Sequence, residues 1–272
     1  MTTWADLDLD STDERLPDLT PVLDTDDARE AVEEALDERR RSEGTVALGA
    51  LSDEELFACL ASVAHVQPQG QWFSTLTERE RRTARIAALR SLTTREEVFV
   101  AGGADGLEAS MSRRLMALLR LRREPVLLSA QGMTRQGPSW YLLRRVDDLW
   151  MREVVSEHGF HSHDLVLLDD HEERFFRAFS ALSDEHHASS VALRQRGDAP
   201  PSAQLRRFLG EQRHITQLAM VHPGEDVPET HVVCVDQSGA MTLAVPEGDD
   251  LVYSGGSPAT IVDRWHAWRD LW

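Results

Sequence analysis

Histidine is the side chain of this sequence best suited to chemistry, and its densest grouping is His158, His161 and His163, followed by His171. In an extended segment His161 and His163 project from the same face, because strand side chains alternate with period two. That H-x-H geometry is one that metal sites use. Two imidazoles do not complete a site, and the third ligand would come from Glu157, His171 or elsewhere, without a recognised spacing. A turn and a solvent-facing strand rich in histidine account for the same residues. The expectation is therefore no metal, no cofactor and no catalytic residue, with an enzyme built on the His158–His171 region as an alternative.

Other chemistries are thinned out by composition. All 29 basic residues are arginine, which removes a Walker A lysine, a lysine Schiff base and a Ser-Lys dyad. Cys59 and Cys234 stand alone in apolar surroundings, outside any C-x-x-C, and read as buried thiols. Gly102-Gly103-Ala104-Asp105-Gly106 precedes an expected helix but lacks the G-x-G-x-x-G spacing. Gly255-Gly256-Ser257-Pro258 reads as a helix start, with Ser257 as N-cap and Pro258 at the first helical position. There is no G-x-S-x-G elbow.

The elements that would position such residues follow from periodicity. At 272 residues the chain can bury a full core. Its net charge is −18, and −12 of that lies before residue 39. Such a balance repels phosphates and anionic lipid, which argues against nucleic-acid and membrane partners. Without a basic, apolar leader or a run of about 18 apolar residues, a cytoplasmic protein is expected.

Residues 1–24 read as an acidic, disordered tail. A helical module is expected over 25–103. Its signals are the period-four residues Ala28, Val32 and Leu36, a capping box at Ser52 and Glu55, a second at Thr77 and Glu80, and the short run Val98-Phe99-Val100. This module is winged-helix-like. On its second helix Arg79, Arg81, Arg82 and Arg85 are balanced by Glu78 and Glu80, the pattern of a solvated face. Residues 104–272 read as a duplicated α+β body, with a linker near 184–201. The first copy runs from a helix at Leu107–Arg123 through four strands to a helix at about Asp170–Leu182. The second runs from a helix near Gln204–Gln212 through four strands to a helix at Pro258–Asp270. An offset of 86 carries Leu165 and Val166 onto Leu251 and Val252, and Phe175, Phe179 and Leu182 onto Ile261, Trp265 and Trp268. Each trio forms one apolar helical stripe. Antiparallel sheets flanked by helices in two quasi-repeated units, preceded by a small helical module, make the fold α+β. Asp236-Gln237-Ser238-Gly239 reads as a tight hairpin turn. Trp272, at the end of the Trp265 and Trp268 stripe, is positioned to touch a partner.

The C-terminal succession Val235-Asp236-Gln237-Ser238-Gly239-Ala240-Met241, Leu251-Val252-Tyr253-Ser254-Gly255-Gly256-Ser257-Pro258 and a closing helix to Trp272 resembles the EspG family, cytosolic chaperones of actinobacterial type VII (ESX) secretion. In that family a D-x-x-x-G-R-like hairpin, a strand, a Pro/Gly/Ser turn and a terminal amphipathic helix follow one another similarly. Ala240 stands where arginine is common there, and the first hundred residues look unlike a typical member. The resemblance implies a quasi-two-fold antiparallel sheet flanked by helices. It also implies a non-enzymatic protein that binds a helical client in the cytosol; no residue-level binding site carries over. The alternative is a winged-helix regulatory protein whose α+β body senses a ligand.

Overall fold

The computed structural model describes residues 19–60, 75–103, 106–134, 137–167, 192–196, 200 and 202–272. In chain order, a 3-10 helix at Thr20–Asp24 leads into α1 (Asp26–Arg41), β1 (Val46–Ser52), α2 (Asp53–Leu60), α3 (Glu78–Thr94), β2 (Val98–Gly103) and β3 (Gly106–Met111). Then come α4 (Arg113–Leu121), β4 (Val126–Thr134), β5 (Gly137–Val146), β6 (Leu149–Val155), β7 (Phe160–Val166) and β8 (Leu193–Arg196). The chain ends with α5 (Ala203–Leu209), β9 (Gln212–Met220), β10 (Glu229–Asp236), β11 (Met241–Glu247), β12 (Asp250–Gly256) and α6 (Pro258–Arg269). The strand registers are antiparallel, so the class is α+β as expected.

The chain divides into two compact units, one formed by the chain up to Pro125 with Met151–Val166, the other by Val126–Trp150 with the chain from Leu167 onward. In the first, β1 pairs with β7, Leu51 opposite His161 and Val46 opposite Leu165, with a bulge between Ala47 and Gly49. Gly49 has φ +136°, a conformation that side chains disfavour and that a bulge uses. Helix α1 packs on α4, and α2 on α3. Each start has a chemical cause: Thr25 accepts from the Ala28 amide, Ser112 from Leu115, and the expected capping boxes at Ser52 with Glu55 and Thr77 with Glu80 both form.

Three expectations need correction in this unit. Residues 19–24 are not tail: Leu19 and Leu23 are fully buried, and the Asp24 carboxylate bridges Arg120 at 2.9 Å and Arg123 at 2.7 Å. Residues 1–18 lie outside the described residues. The helix expected from Leu107 begins at Arg113; Gly106–Met111 is instead the second strand of a β2–β3 hairpin, with Val98 opposite Met111. Finally, Val46–Ser52 does not stay within an N-terminal module, because its partner strand comes from Phe160–Val166.

In the second unit the strand order is β5, β4, β9, β10, β11, β12, β8. Strands β4 and β9 meet antiparallel, Leu128 opposite Met220 and Ala130 opposite Leu218. The Asp236 turn forms as expected: the Asp236 amide donates to the Ala240 carbonyl, and Gly239 adopts φ +93°. Leu193–Arg196, expected within the linker, is the strand that pairs with β12. Helix α6 starts at Ser257 with Pro258 in its first turn and buries the expected stripe of Ile261, Trp265 and Trp268. Trp268 donates its indole N–H to the Val221 carbonyl at 2.8 Å and lies 5.4 Å from Trp150. Trp272 packs within its own unit, 6.3 Å from Trp268 and with the Arg145 guanidinium 5.6 Å above its ring.

A helix followed by four strands occurs twice along the chain, as α4 with β4 to β7 and as α5 with β9 to β12. The closing helix expected at Asp170–Leu182 lies outside the described residues. The offset of 86 places Leu165, near the end of β7, on Leu251, near the start of β12. The order of elements repeats, while that residue offset does not keep its place within the strand. No helix among the described residues is long and apolar enough to cross a membrane.

Candidate functional site

The chemistry-bearing histidines gather in the first unit, where the N-terminus of α2 meets the β6–β7 hairpin. Ser52 caps α2 and leaves Asp53 as its first residue, where a carboxylate complements the helix dipole. The hairpin turns at Ser156 to Gly159, closed by the Ser156 amide donating to the Phe160 carbonyl. Asp53 then locks helix to turn: its amide donates to the Gly159 carbonyl at 3.0 Å. Gly159 has φ +72°, and a β-carbon there would stand 2.6 Å from the Asp53 carboxylate. Only glycine serves both the conformation and the approach.

His161 lies between two carboxylates, with Nε2 at 2.7 Å from Asp53 Oδ1 and Nδ1 at 2.7 Å from Glu153 Oε1. Arg122 donates Nε–H to the same Glu153 oxygen at 3.0 Å. His163, two residues along the strand, stacks on His161 with ring centroids 6.2 Å apart. Its Nε2 lies 3.5 Å from Glu153 Oε1, yet neither ring nitrogen makes a hydrogen bond. Glu153 and His161 are fully buried, and Asp53 and His163 nearly so. Burial pushes the His161 imidazole down, but hydrogen bonds to Asp53 and Glu153 outweigh it and hold the group above its ordinary value. Burial pushes His163 below its ordinary value, and the nearby Glu153 carboxylate offsets this only in part. Removing one partner from so buried a network strands a charge, at a cost of about 3–5 kcal/mol. Among the described residues, Glu153, His161 and His163 form a group that could hold a metal ion.

Beside this cluster the same unit opens a surface groove of about 610 Å³. Leu51 from β1 and Ala84, Ala87 and Ala88 from α3 line it, with Phe160 at its side. Phe160 is 61% exposed, unusually open for a phenylalanine. Glu55 adds the polar part of the groove, pairing with Arg95 at 2.8 Å and accepting from Ser91 at 2.8 Å.

In the second unit Glu229 accepts from His222 at 2.9 Å and lies 2.9 Å from the buried His231 and 3.7 Å from Arg264. Burial pushes the Glu229 carboxyl up, but the His222 hydrogen bond and the surrounding cationic groups hold it below its ordinary range. Burial and Arg264 push His231 down.

The sequence pairing of His161 with His163 on one strand face is realised, but that face is the core and not the solvent. His158 is in the exposed turn, 3.6 Å from Glu157, and His171 lies outside the described residues. Among the described residues the group that joins the two imidazoles is Glu153, not Glu157. Sequence reasoning missed Glu153, Asp53 and Arg122, although a charged Arg152-Glu153 pair inside the apolar run Leu149–Val155 was the available signal. The thiols are buried as expected, Cys59 pushed up to about 12 by desolvation and by Glu55, and Cys234 to about 11 by desolvation.

No family model matches the chain, and no curated protein matches it. Among solved structures it is similar to a chain in the structure of the Mycobacterium tuberculosis type VII secretion system chaperone EspG5 in complex with a PE25-PPE41 dimer. The identity is 11%, with 84% of this chain and 95% of that chain covered at a TM-score of 0.41. This is a distant likeness.

Proposed function

We propose that the chain is a non-enzymatic protein-binding protein that holds a helical client in the cytosol, as its sequence resemblance to the EspG chaperones implies. The groove beside α3 carries the reading. Ala84 and Ala88 stand one helical turn apart, and Ala87 lies between them, so the groove presents small side chains that let another helix come close. Leu51 and the exposed Phe160 add the apolar area that an amphipathic helix needs when it lays its apolar face into a groove. A net charge of −18 disfavours a phosphate backbone as the occupant.

The test uses two variants at exposed positions, Ala87→Arg and Phe160→Ser. Affinity purification from the native cytoplasm should recover one dominant partner in stoichiometric amount, helical by circular dichroism. Each variant should weaken that complex at least tenfold while its melting curve stays close to the parent's. Binding should depend only shallowly on salt. A partner retained undiminished by both variants, or sequence-specific duplex binding with a steep salt slope, overturns the proposal.

A further inference from the structure

We infer that Glu153, His161 and His163 form a binding site for one divalent transition-metal ion of the zinc type, with Asp53 and Arg122 as its outer partners. The inference is independent of any client. Its first support is the donor set: one ligand atom from each residue, all lying within 4.8 Å of one another. Two imidazoles and a carboxylate are the donors that zinc takes in three-ligand sites, a fourth position going to water or to the second carboxylate oxygen. Calcium and magnesium, which prefer all-oxygen shells, fit poorly.

The second support is His163. Its side chain is fully buried, and neither ring nitrogen makes a hydrogen bond. A buried polar group left without a hydrogen bond is costly. One nitrogen of a neutral imidazole carries a lone pair, and the Nε2 of His163 lies toward an anionic oxygen 3.5 Å away. A cation between them turns that juxtaposition into two bonds. The spacing is close to what is required, since metal arms of ~2.0–2.2 Å set tetrahedral ligand atoms roughly 3.3–3.5 Å apart. The 2.7 Å approach of His161 Nδ1 to Glu153 must widen as the metal replaces the proton between them.

The outer shell is the third support. Ligating histidines characteristically donate their other N–H to a carboxylate, which fixes the tautomer. Asp53 stands 2.7 Å from His161 Nε2 and performs that task, leaving Nδ1 to face the metal. Arg122 remains bonded to the Glu153 carboxylate, as second-shell donors do. With Glu153 and His161 completely buried, the ion would be acquired as the unit folds.

The test uses the full-length protein, analysed for metal as purified, then stripped with a chelator and titrated separately with Zn²⁺ and Co²⁺. One equivalent should bind, raise the melting temperature of the stripped protein and give Co²⁺ the visible bands of a four-coordinate nitrogen and oxygen site. His163→Ala, which has no hydrogen bond to lose, should remain folded and lower affinity at least about 100-fold, and Glu153→Gln should do the same. Asp53→Asn should weaken binding roughly 10–100-fold, and His158→Ala, in the exposed turn, should leave it unchanged. Should Glu153→Gln fail to fold, His163→Ala decides alone. Absence of stoichiometric binding by the parent protein, or binding that survives His163→Ala, overturns the site and leaves the cluster as a proton-filled charge network.

Discussion

Gly159 is the residue on which the buried cluster turns. Its positive φ and the closeness of the Asp53 carboxylate act together, so Gly159→Ala should strain the backbone and push Asp53 from His161. A loss of about 1–3 kcal/mol, measured by urea unfolding, is expected; an unchanged midpoint would refute the coupling. Burial makes the opposite statement about Cys59. Its thiol, pushed up to about 12, has almost no thiolate near neutrality, and the thiolate is the reactive form. Iodoacetamide at pH 8 should leave Cys59 unmodified in the native protein and alkylate it rapidly in denaturant.

At the scale of elements, the Thr77 and Glu80 box links helix formation to pH. Hydrogen bonds from the Thr77 side chain and backbone hold the Glu80 carboxyl below its ordinary range. A carboxyl depressed in the folded state adds stability above its unfolded value, and that contribution disappears as pH falls through the folded value. Glu80→Ala should therefore lower the melting temperature slightly at neutral pH and leave it unchanged at acid pH; a difference that grows in acid would contradict the assignment. Features of this kind were legible in sequence because they are local. The two capping boxes, the Asp236 turn and the Ser257-Pro258 start of α6 each lie within five residues, and the Ile261, Trp265 and Trp268 stripe needs only helical geometry. The β3 segment was misread because Leu107 fits the same helical spacing as Leu115 and Leu118, and the glycines where Val98–Gly103 meets Gly106–Met111 read as a helix entry, whereas they join two paired strands. Glu153 was illegible for a related reason: its meaning as the third group depends on Arg122 and Asp53, both distant in the chain.

At the scale of the molecule, residues 19–24 of the acidic N-terminal stretch depart from what composition indicated. Leu19 and Leu23 are buried completely, anchored by Asp24 between Arg120 and Arg123. Surrounding acids hid them from a reading based on charge density. Leu23→Ala should cost about 2–5 kcal/mol in chemical denaturation, whereas a tail residue would cost almost nothing. The division of the first unit carries a consequence for how the protein is made. Its strand β7 and the Glu153 strand arrive only with Met151–Val166, so synthesis of the first 125 residues yields a half-built interior holding Asp53 and Arg122 without their counterparts. Domains with such late-arriving pieces pay loop-closure entropy before their contacts form and fold slowly. A nascent chain stalled near residue 125 should be protease-sensitive, and one stalled far enough beyond residue 166 to free β7 from the ribosome should be protected. The ribosome's passage beyond residue 166, more than the order of elements in the finished fold, should therefore set when the first unit becomes stable.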